Sequence, residues 1–162
     1  MATRIAVMDG GRIMQVGSPR DIYEAPRSRF VADFIGSVNL FDGRMIEDEP
    51  DYVRVQCADL PASVLVDHGI SAAPDAPLWV AVRPEKINLS REAPSAADNW
   101  ARGVIHEIAY LGDLSVFLVR LESGRDVRAT LANSTRKPEE QFSREMPVYL
   151  SWDASSPVIG ST

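Results

Sequence analysis

Residues 115–131 read Ser-Val-Phe-Leu-Val-Arg-Leu-Glu-Ser-Gly-Arg-Asp-Val-Arg-Ala-Thr-Leu. Short alternating runs with β-favouring side chains lie on both sides of the connection Glu122-Ser-Gly-Arg125, and such runs are typical of half-buried strands. A short connection that contains glycine is typical of a tight hairpin. The segment therefore predicts two antiparallel strands, Ser115 to Leu121 and Asp126 to Leu131.

Similar runs recur about every ten residues from Val38 onward, a spacing typical of small sandwiches and barrels. Gly112-Asp113 supplies a turn before the hairpin, and the run Val148 to Trp152 closes the resulting meander. A five-stranded barrel of the OB type accommodates this arrangement. The sequence thus predicts a mainly β domain, an antiparallel barrel or sandwich built from two OB-like halves. The other predicted strands are Leu40 to Ile46, Tyr52 to Cys57, Ser63 to Val66, Leu78 to Val82 and Ala101 to Ala109.

The first 36 residues have a different pattern. Two β-favouring runs, Arg4 to Met8 and Arg12 to Val16, flank a glycine pair and predict a hairpin. A phosphate-binding loop is the disfavoured alternative, because no Gly-Lys-Ser/Thr sequence follows the glycines. Ser18-Pro-Arg-Asp21 supplies a capping hydroxyl and a proline suited to the first helical position, so a short helix is expected to follow and to end at Pro26.

A second helix is expected to begin at the cap Ser28 and to end at Gly36. Its apolar face is a predicted docking surface made of Phe30, Val31, Phe34 and Ile35. A hairpin and two short helices are too small to form their own core. We therefore expect residues 1–36 to be the end of a larger domain, with the docking surface covered by the β domain or by a second copy, and residues 37–162 to form the β domain.

Composition and charge restrict the function. The chain has 162 residues, of which 45% are hydrophobic and 25% charged, as in ordinary globular proteins. Its net charge of −6 would repel a nucleic-acid backbone, so neither nucleic acid as a partner nor a free-standing nucleic-acid OB protein is expected. No apolar run approaches the roughly 20 residues of a membrane span, and no signal segment is evident. The single cysteine, Cys57, lies in an alternating run and is expected to be a buried small hydrophobe in a reducing compartment.

Other candidate sites have ordinary interpretations. His68 and His106 lie far apart, His106 is expected to be an exposed strand residue, and no metal is predicted. The acidic run Glu47 to Asp51 is expected to be a solvated loop, with a polycation contact as the disfavoured alternative. The three tryptophans each lie at the edge of a predicted strand, where core or interface packing is favoured over base stacking. They are Trp79, Trp100 and Trp152.

Several segments of the sequence resemble a known protein family. Residues 4–19 read Arg-Ile-Ala-Val-Met-Asp-Gly-Gly-Arg-Ile-Met-Gln-Val-Gly-Ser-Pro, followed by Asp21-Ile-Tyr-Glu-Ala-Pro and Phe30-Val-Ala-Asp-Phe-Ile-Gly. This segment closely resembles the end of the ATP-binding domain in ABC-importer ATPases, where it follows the switch histidine and leads into a regulatory extension. The resemblance implies that the parent subunit hydrolyses ATP with Mg²⁺.

The rest of the chain resembles that extension, whose last part is the transport-associated OB, or TOBE, domain. The matching segments are Asn39-Leu40, Arg83-Pro-Glu-Lys-Ile87, Gly103-Val-Ile105, Tyr110-Leu-Gly-Asp113 and Val148-Tyr-Leu-Ser-Trp152. Within the family, the sequence most resembles the ATPases of spermidine/putrescine importers. At Glu145-Met-Pro147 the family commonly has a glycine, so we expect a differently built turn there.

The resemblance implies a function without catalysis in this chain. ATP hydrolysis needs a phosphate loop with its lysine, an acidic magnesium-binding strand and a water-positioning group, and the sequence has none of them. No cofactor is expected here. In the family two ATPase chains pair and couple to membrane permease subunits and a solute-binding protein, so we expect a cytoplasmic location at the inner face of the membrane.

The β domain is then expected to be a regulatory domain and a homodimer contact. Candidate interface or regulatory residues are Asn39, Arg83, Glu85, Gly112 and Asp113. The alternative is a small-ligand or anion sensor that inhibits transport, for which Arg102, Arg125 and Arg128 are available.

Overall fold

The computed structural model describes residues 3–28, 31, 38–70, 72, 76–133 and 142–161. Within these ranges the chain consists mainly of antiparallel β-strands, as the sequence predicts. The elements are β1 Ile5–Asp9, β2 Arg12–Gly17, α1 Pro19–Glu24, β3 Asn39–Asp48, β4 Val53–Cys57, β5 Val64–Val66, β6 Pro77–Val82, a 3-10 helix Pro84–Lys86, β7 Asn88–Ser90, β8 Asn99–Tyr110, β9 Leu114–Leu121, β10 Asp126–Ala132, β11 Pro147–Trp152 and β12 Val158–Ser161.

The N-terminal residues form the predicted hairpin, in which β1 and β2 pair, followed by α1. The Ser18 hydroxyl accepts a hydrogen bond from the Asp21 amide at 3.1 Å, as expected for a helix cap. The Ser28 hydroxyl accepts a hydrogen bond from the Val31 amide at 3.1 Å, and most of the predicted second helix lies outside the described residues. Val31 is fully buried and packs with Val7 and Ile22 in a small core. The other three residues of the predicted docking surface, Phe30, Phe34 and Ile35, lie outside the described residues.

Ten strands form two five-stranded antiparallel sheets. The first sheet has the order β12-β6-β3-β4-β5, and the second has the order β7-β11-β8-β9-β10. The predicted meander is confirmed as β8-β9-β10, and β11 returns to pair with β8. The edge strands β7 and β12 were not predicted, because they are short and depend on pairing with β11 and β6, which are distant in the fold's connectivity.

The two sheets have the same topology. Strands β3 to β6 occupy the same relative positions in the first sheet as β8 to β11 in the second. The strand that follows each set is exchanged between the sheets. β7 follows β6 along the chain but pairs with β11, whereas β12 follows β11 but pairs with β6. The fold is therefore an internal repeat whose halves each contribute an edge strand to the other.

The central strands β3 and β8 show the repeat residue by residue. Each begins with a buried asparagine, Asn39 or Asn99, and has a glycine at its fifth position, Gly43 or Gly103. Both strands then show a register shift, between Met45 and Glu47 in β3 and between Ile105 and Glu107 in β8. A bulge bends a strand and increases its twist, so the same device curls both sheets.

The asparagines join the sheets. The Asn39 side chain donates from Nδ2 to the Arg128 carbonyl of β10 and accepts at Oδ1 from the Arg128 amide, both at 2.8 Å. Asn99 makes the equivalent pair of bonds with the main chain of Leu65 in β5, at 2.9 and 2.7 Å. Each asparagine thus provides hydrogen-bond partners for an edge strand of the opposite sheet.

One hydrophobic core lies between the sheets, with Phe41 and Val80 from the first and Phe117 and Leu150 from the second. Cys57 is fully buried in this core, as predicted, and burial raises the pKa of its thiol to about 12. Trp79 and Trp152 are also buried, while Trp100 lies on the surface.

Candidate functional site

The predicted interface residues meet around the edge strand β10. Asn39 is buried, and its side chain is bonded to Arg128 of β10. The 3-10 helix that carries the exposed Glu85 packs against the same strand. Arg83 lies just before this helix and is buried. The sequence motif Arg83-Pro-Glu-Lys-Ile87 therefore forms a support for β10.

The Gly112-Asp113 turn lies at the end of the same strand. Gly112 has a φ of +85°, which favours glycine, and its carbonyl accepts a hydrogen bond from Asn133 Nδ2 at 3.0 Å. The Asp113 carbonyl accepts from the Asn133 amide at 2.8 Å. Just before this turn, Tyr110 and Leu111 are 49% and 60% exposed and form an apolar tip.

The three arginines proposed for an anion site lie on different features of the fold. Arg125 reaches from the β9-β10 hairpin to the first sheet, where it donates to the Leu40 carbonyl, lies 5.1 Å from the Phe41 ring centroid and pairs with Asp59 at 3.5 Å. Its guanidinium is thus committed to holding the sheets together. Arg128 lies in β10, and Arg102 lies on the outer face of β8.

That outer face carries an aromatic and cationic cluster. Trp100 is 42% exposed, and its ring lies 6.2 Å from the ring of Tyr149 in the neighbouring strand β11. The guanidinium of Arg102 lies 5.8 Å from the centroid of the same Tyr149 ring, within cation–π range. Stacking on the ring therefore positions the Arg102 side chain at the surface.

Two cavities flank this cluster and share Arg102, Leu121 and Glu122 in their walls. One, of about 480 Å³, is also lined by His106, Arg120 and Glu145 among others. The other, of about 390 Å³, is bounded by Trp100 and the loop 58–61. We call Trp100, Arg102, Glu122, Glu145 and Tyr149 the outer patch.

The charged side chains in and next to the outer patch differ in whether they are paired. Arg120 is paired with Asp126, with Nε to Oδ1 at 3.0 Å and Nη2 to Oδ2 at 3.3 Å. This hydrogen bonding raises the pKa of Arg120 and lowers the pKa of Asp126, so both remain charged. His106 is half-buried in β8, whereas the sequence predicted an exposed strand histidine. Among the described residues, no group of three or more His, Cys, Asp or Glu side chains could hold a metal ion.

Glu145 has an unusual backbone conformation. Its φ is +67°, and it is the one non-glycine residue with positive φ in the described ranges. Its amide donates to the Ile105 carbonyl at 2.8 Å, so the turn before β11 is tied to β8 at the bulge. The departure from the family's glycine at residues 145–147 therefore places a side chain in a region that costs most residues about 1 to 2 kcal/mol.

Replacing Glu145 with glycine and with alanine separates this backbone cost from the charge. Both variants lack the carboxylate, but only glycine adopts positive φ without strain. We expect E145G to exceed E145A in free energy of unfolding by about 1 kcal/mol. Urea denaturation of both variants at one protein concentration measures the difference, and equal stabilities would show that the turn is not strained.

The comparisons with known proteins fit this architecture. Residues 80–159 match the TOBE domain family. The chain carries a TOBE domain. The matched residues run from β6 to β12, so the TOBE match contains the whole second sheet and the outer patch, while β3 to β5 precede it and complete the first sheet.

Relatives of the whole chain include the putrescine transport ATP-binding protein PotG of Escherichia coli, 42% identical over 98% of this chain and 42% of that protein. The spermidine/putrescine import ATP-binding proteins PotA of Nostoc sp. and PotA 2 of Pseudomonas aeruginosa are each 36% identical, over 96% and 94% of this chain. These matches confirm the resemblance to polyamine-importer ATP-binding subunits. The chain spans about two fifths of the length of these relatives.

A solved structure shares the fold. The molybdate-bound form of the cytoplasmic molybdate-binding protein ModG superposes with a TM-score of 0.67 at 13% identity, covering 76% of this chain and 96% of that one. This likeness supports the OB-like fold. No helix in the described ranges has the length and apolar character needed to cross a membrane.

Proposed function

We propose that this chain is the regulatory and dimerisation part of the ATP-binding subunit of an ABC importer for polyamines, spermidine or putrescine. The observation that carries the proposal is the 42% identity to the Escherichia coli putrescine transport ATP-binding protein over 98% of the chain, together with the TOBE domain. The division into a tail of the ATP-binding domain, 1–36, and a regulatory domain, 37–162, is part of this proposal.

In the longer subunit, ATP and Mg²⁺ would bind in the domain that precedes these residues, because the chain lacks the phosphate loop and the acidic strand that hold them. The subunit would lie in the cytoplasm at the inner face of the membrane, with permease subunits and a solute-binding protein as partners. Its transport activity belongs to that assembly and not to this chain.

The physical role follows from pairing. Two ATP-binding domains that are linked through a persistent contact stay at high effective concentration, so their closure becomes a hinge motion instead of a bimolecular association. A rigid β domain suits this role, because its two sheets share one core and are tied by Asn39, Asn99 and Arg125. The anion-sensor alternative gains no support from the separate placements of Arg102, Arg125 and Arg128.

A chimera tests the proposal. This chain would replace the matching region of the Escherichia coli putrescine relative, and putrescine uptake would be measured in cells that lack the native subunit. We expect the chimera to restore uptake to within several-fold of the native level, and a version that ends before the matching region to restore little. A chimera that is stable and assembles with the permease but supports no uptake would contradict the proposal.

A further inference from the structure

The outer patch contains charged side chains that form no salt bridge among the described residues, although the charge of Glu145 helps to raise the pKa of Arg120. Among the described residues, Arg102, Glu122 and Glu145 form no ion pair and no side-chain hydrogen bond. By contrast, Arg120 and Arg125 are both paired with aspartates. The patch therefore presents one positioned guanidinium and two carboxylates to whatever covers it.

The patch also has the composition of a binding hot spot. Trp, Tyr and Arg are the side chains that most often dominate the energy of protein interfaces. Here the Tyr149 ring contacts both Trp100 and Arg102 before any partner arrives. Because Arg102 is already held against the Tyr149 ring, it loses less conformational freedom on binding than an unrestrained arginine would.

The balance of charge favours a second copy of the same chain as the partner. An acidic partner would be opposed by Glu122 and Glu145, and a basic partner by Arg102. In a two-fold contact, a residue of one copy faces a different residue of the other and the reverse pair forms as well, so the patch must contain both signs. Two chains that each carry a net charge of −6 repel at long range, and local complementarity of this kind opposes that repulsion.

We propose that the outer patch is a self-complementary interface at which two copies pair about a two-fold axis, with Arg102 of each copy facing Glu122 and Glu145 of the other. This rests on the proposed dimerisation function, which requires a contact but does not locate it. Trp100 and Tyr149 form the apolar centre, and the two flanking cavities receive side chains of the partner.

The internal repeat supplies a comparison surface within the same molecule. The equivalent groove of the first sheet is lined by Asp42, Gly43, Arg44 and Ile46, where the second sheet has Arg102, Gly103, Val104 and His106. The stacked Trp100, Arg102 and Tyr149 cluster belongs to the second sheet. Arg44 is exposed in the first groove. Reversing its charge is therefore a matched control, because it makes the same change of charge on the equivalent surface of the other sheet.

Sedimentation velocity of charge-reversed chains tests the proposal. We expect R102E to weaken the dimer at least about 100-fold, because the reversal acts twice in a two-fold contact, and E122K/E145K to do the same. An equimolar mixture of these two variants is expected to form a heterodimer, since R102E in one chain then faces E122K and E145K in the other, while the native Glu122 and Glu145 face the native Arg102. R44E and R91E, which reverse exposed arginines elsewhere, are expected to remain dimeric.

The outcomes are distinguishable. Recovery of the dimer only in the mixture supports direct pairing across the patch, and a misfolded variant would not recover on mixing. A native chain that is dimeric and stays so in R102E, E122K/E145K and W100A would overturn the patch while leaving the proposed function in place. Dissociation by R44E instead would move the contact to the first sheet, and a native chain that is monomeric at all concentrations would contradict both proposals.

Discussion

Placing alanine at Gly103 or Gly43 is expected to lower the free energy of unfolding by about 3 kcal/mol. A Cβ at Gly103 would lie 2.6 Å from the Arg120 carbonyl oxygen and 2.7 Å from Val119 Cγ1, and a Cβ at Gly43 would lie 2.6 Å from the Gln56 carbonyl oxygen. The nearest obstructing atom in each case is a main-chain carbonyl oxygen of the neighbouring strand, so relief requires the strands to move apart next to the bulge.

Urea denaturation of G103A and G43A would measure the effect, and G69A is the control. A Cβ at Gly69 would have no atom within 4 Å, so that variant should change the stability by about 0.5 kcal/mol or less. Similar losses at Gly43 and Gly103 would confirm that the repeat uses one device in both sheets. A loss at one position only would show that the two bulges are not mechanically equivalent.

Replacing Asn39 with alanine is expected to cost about 2 to 3 kcal/mol. The variant loses three hydrogen bonds, to the Val82 carbonyl at 3.2 Å and to both main-chain groups of Arg128. Removing a side chain leaves its partly buried main-chain partners unsatisfied, which costs more than the net energy of the bonds. Replacing Asn99, which makes two such bonds, with alanine is expected to lower the free energy of unfolding by about 2 kcal/mol.

The control for both asparagines is N88A, because Asn88 is exposed in the edge strand β7 and should change the stability by about 0.5 kcal/mol or less. Amide hydrogen exchange adds a local measurement. In N39A the protection of the Arg128 amide should fall, and in N99A that of the Leu65 amide. Unchanged protection would mean that the asparagines do not hold the edge strands.

The strands with long patterned runs were predictable from sequence, and the contacts between sheets were not. β9 and β10 flank a glycine-containing turn and were assigned almost to the residue, because period and turn chemistry agree there. The strands β7 and β12 are short, and their exchange between the halves depends on tertiary pairing. Asparagine and glycine recur with the same spacing, at positions 39 and 43 and again at 99 and 103, so the sequence contains a sign of the repeat. Only the strand registers show that these positions are structurally equivalent.

In the candidate site, too, some residues were predictable from sequence and the contacts that depend on strand pairing were not. Among the residues predicted from the family resemblance, Asn39 and Gly112-Asp113 form hydrogen bonds with β10 or the residue that follows it, and Arg83 precedes the 3-10 helix that packs against this strand. The cluster of Trp100, Arg102 and Tyr149 was not predicted, because Tyr149 lies 47 residues or more along the chain from the other two and meets them only through the pairing of β8 with β11. Alternation alone would have placed Trp100 and Arg102 on one face of β8.

The central claim is that this domain pairs with a second copy of itself, and the molar mass in solution tests it most directly. Static light scattering across a wide range of chain concentrations should give a mass that approaches twice 17.8 kDa and falls on dilution. A mass of 17.8 kDa at every concentration would contradict the claim.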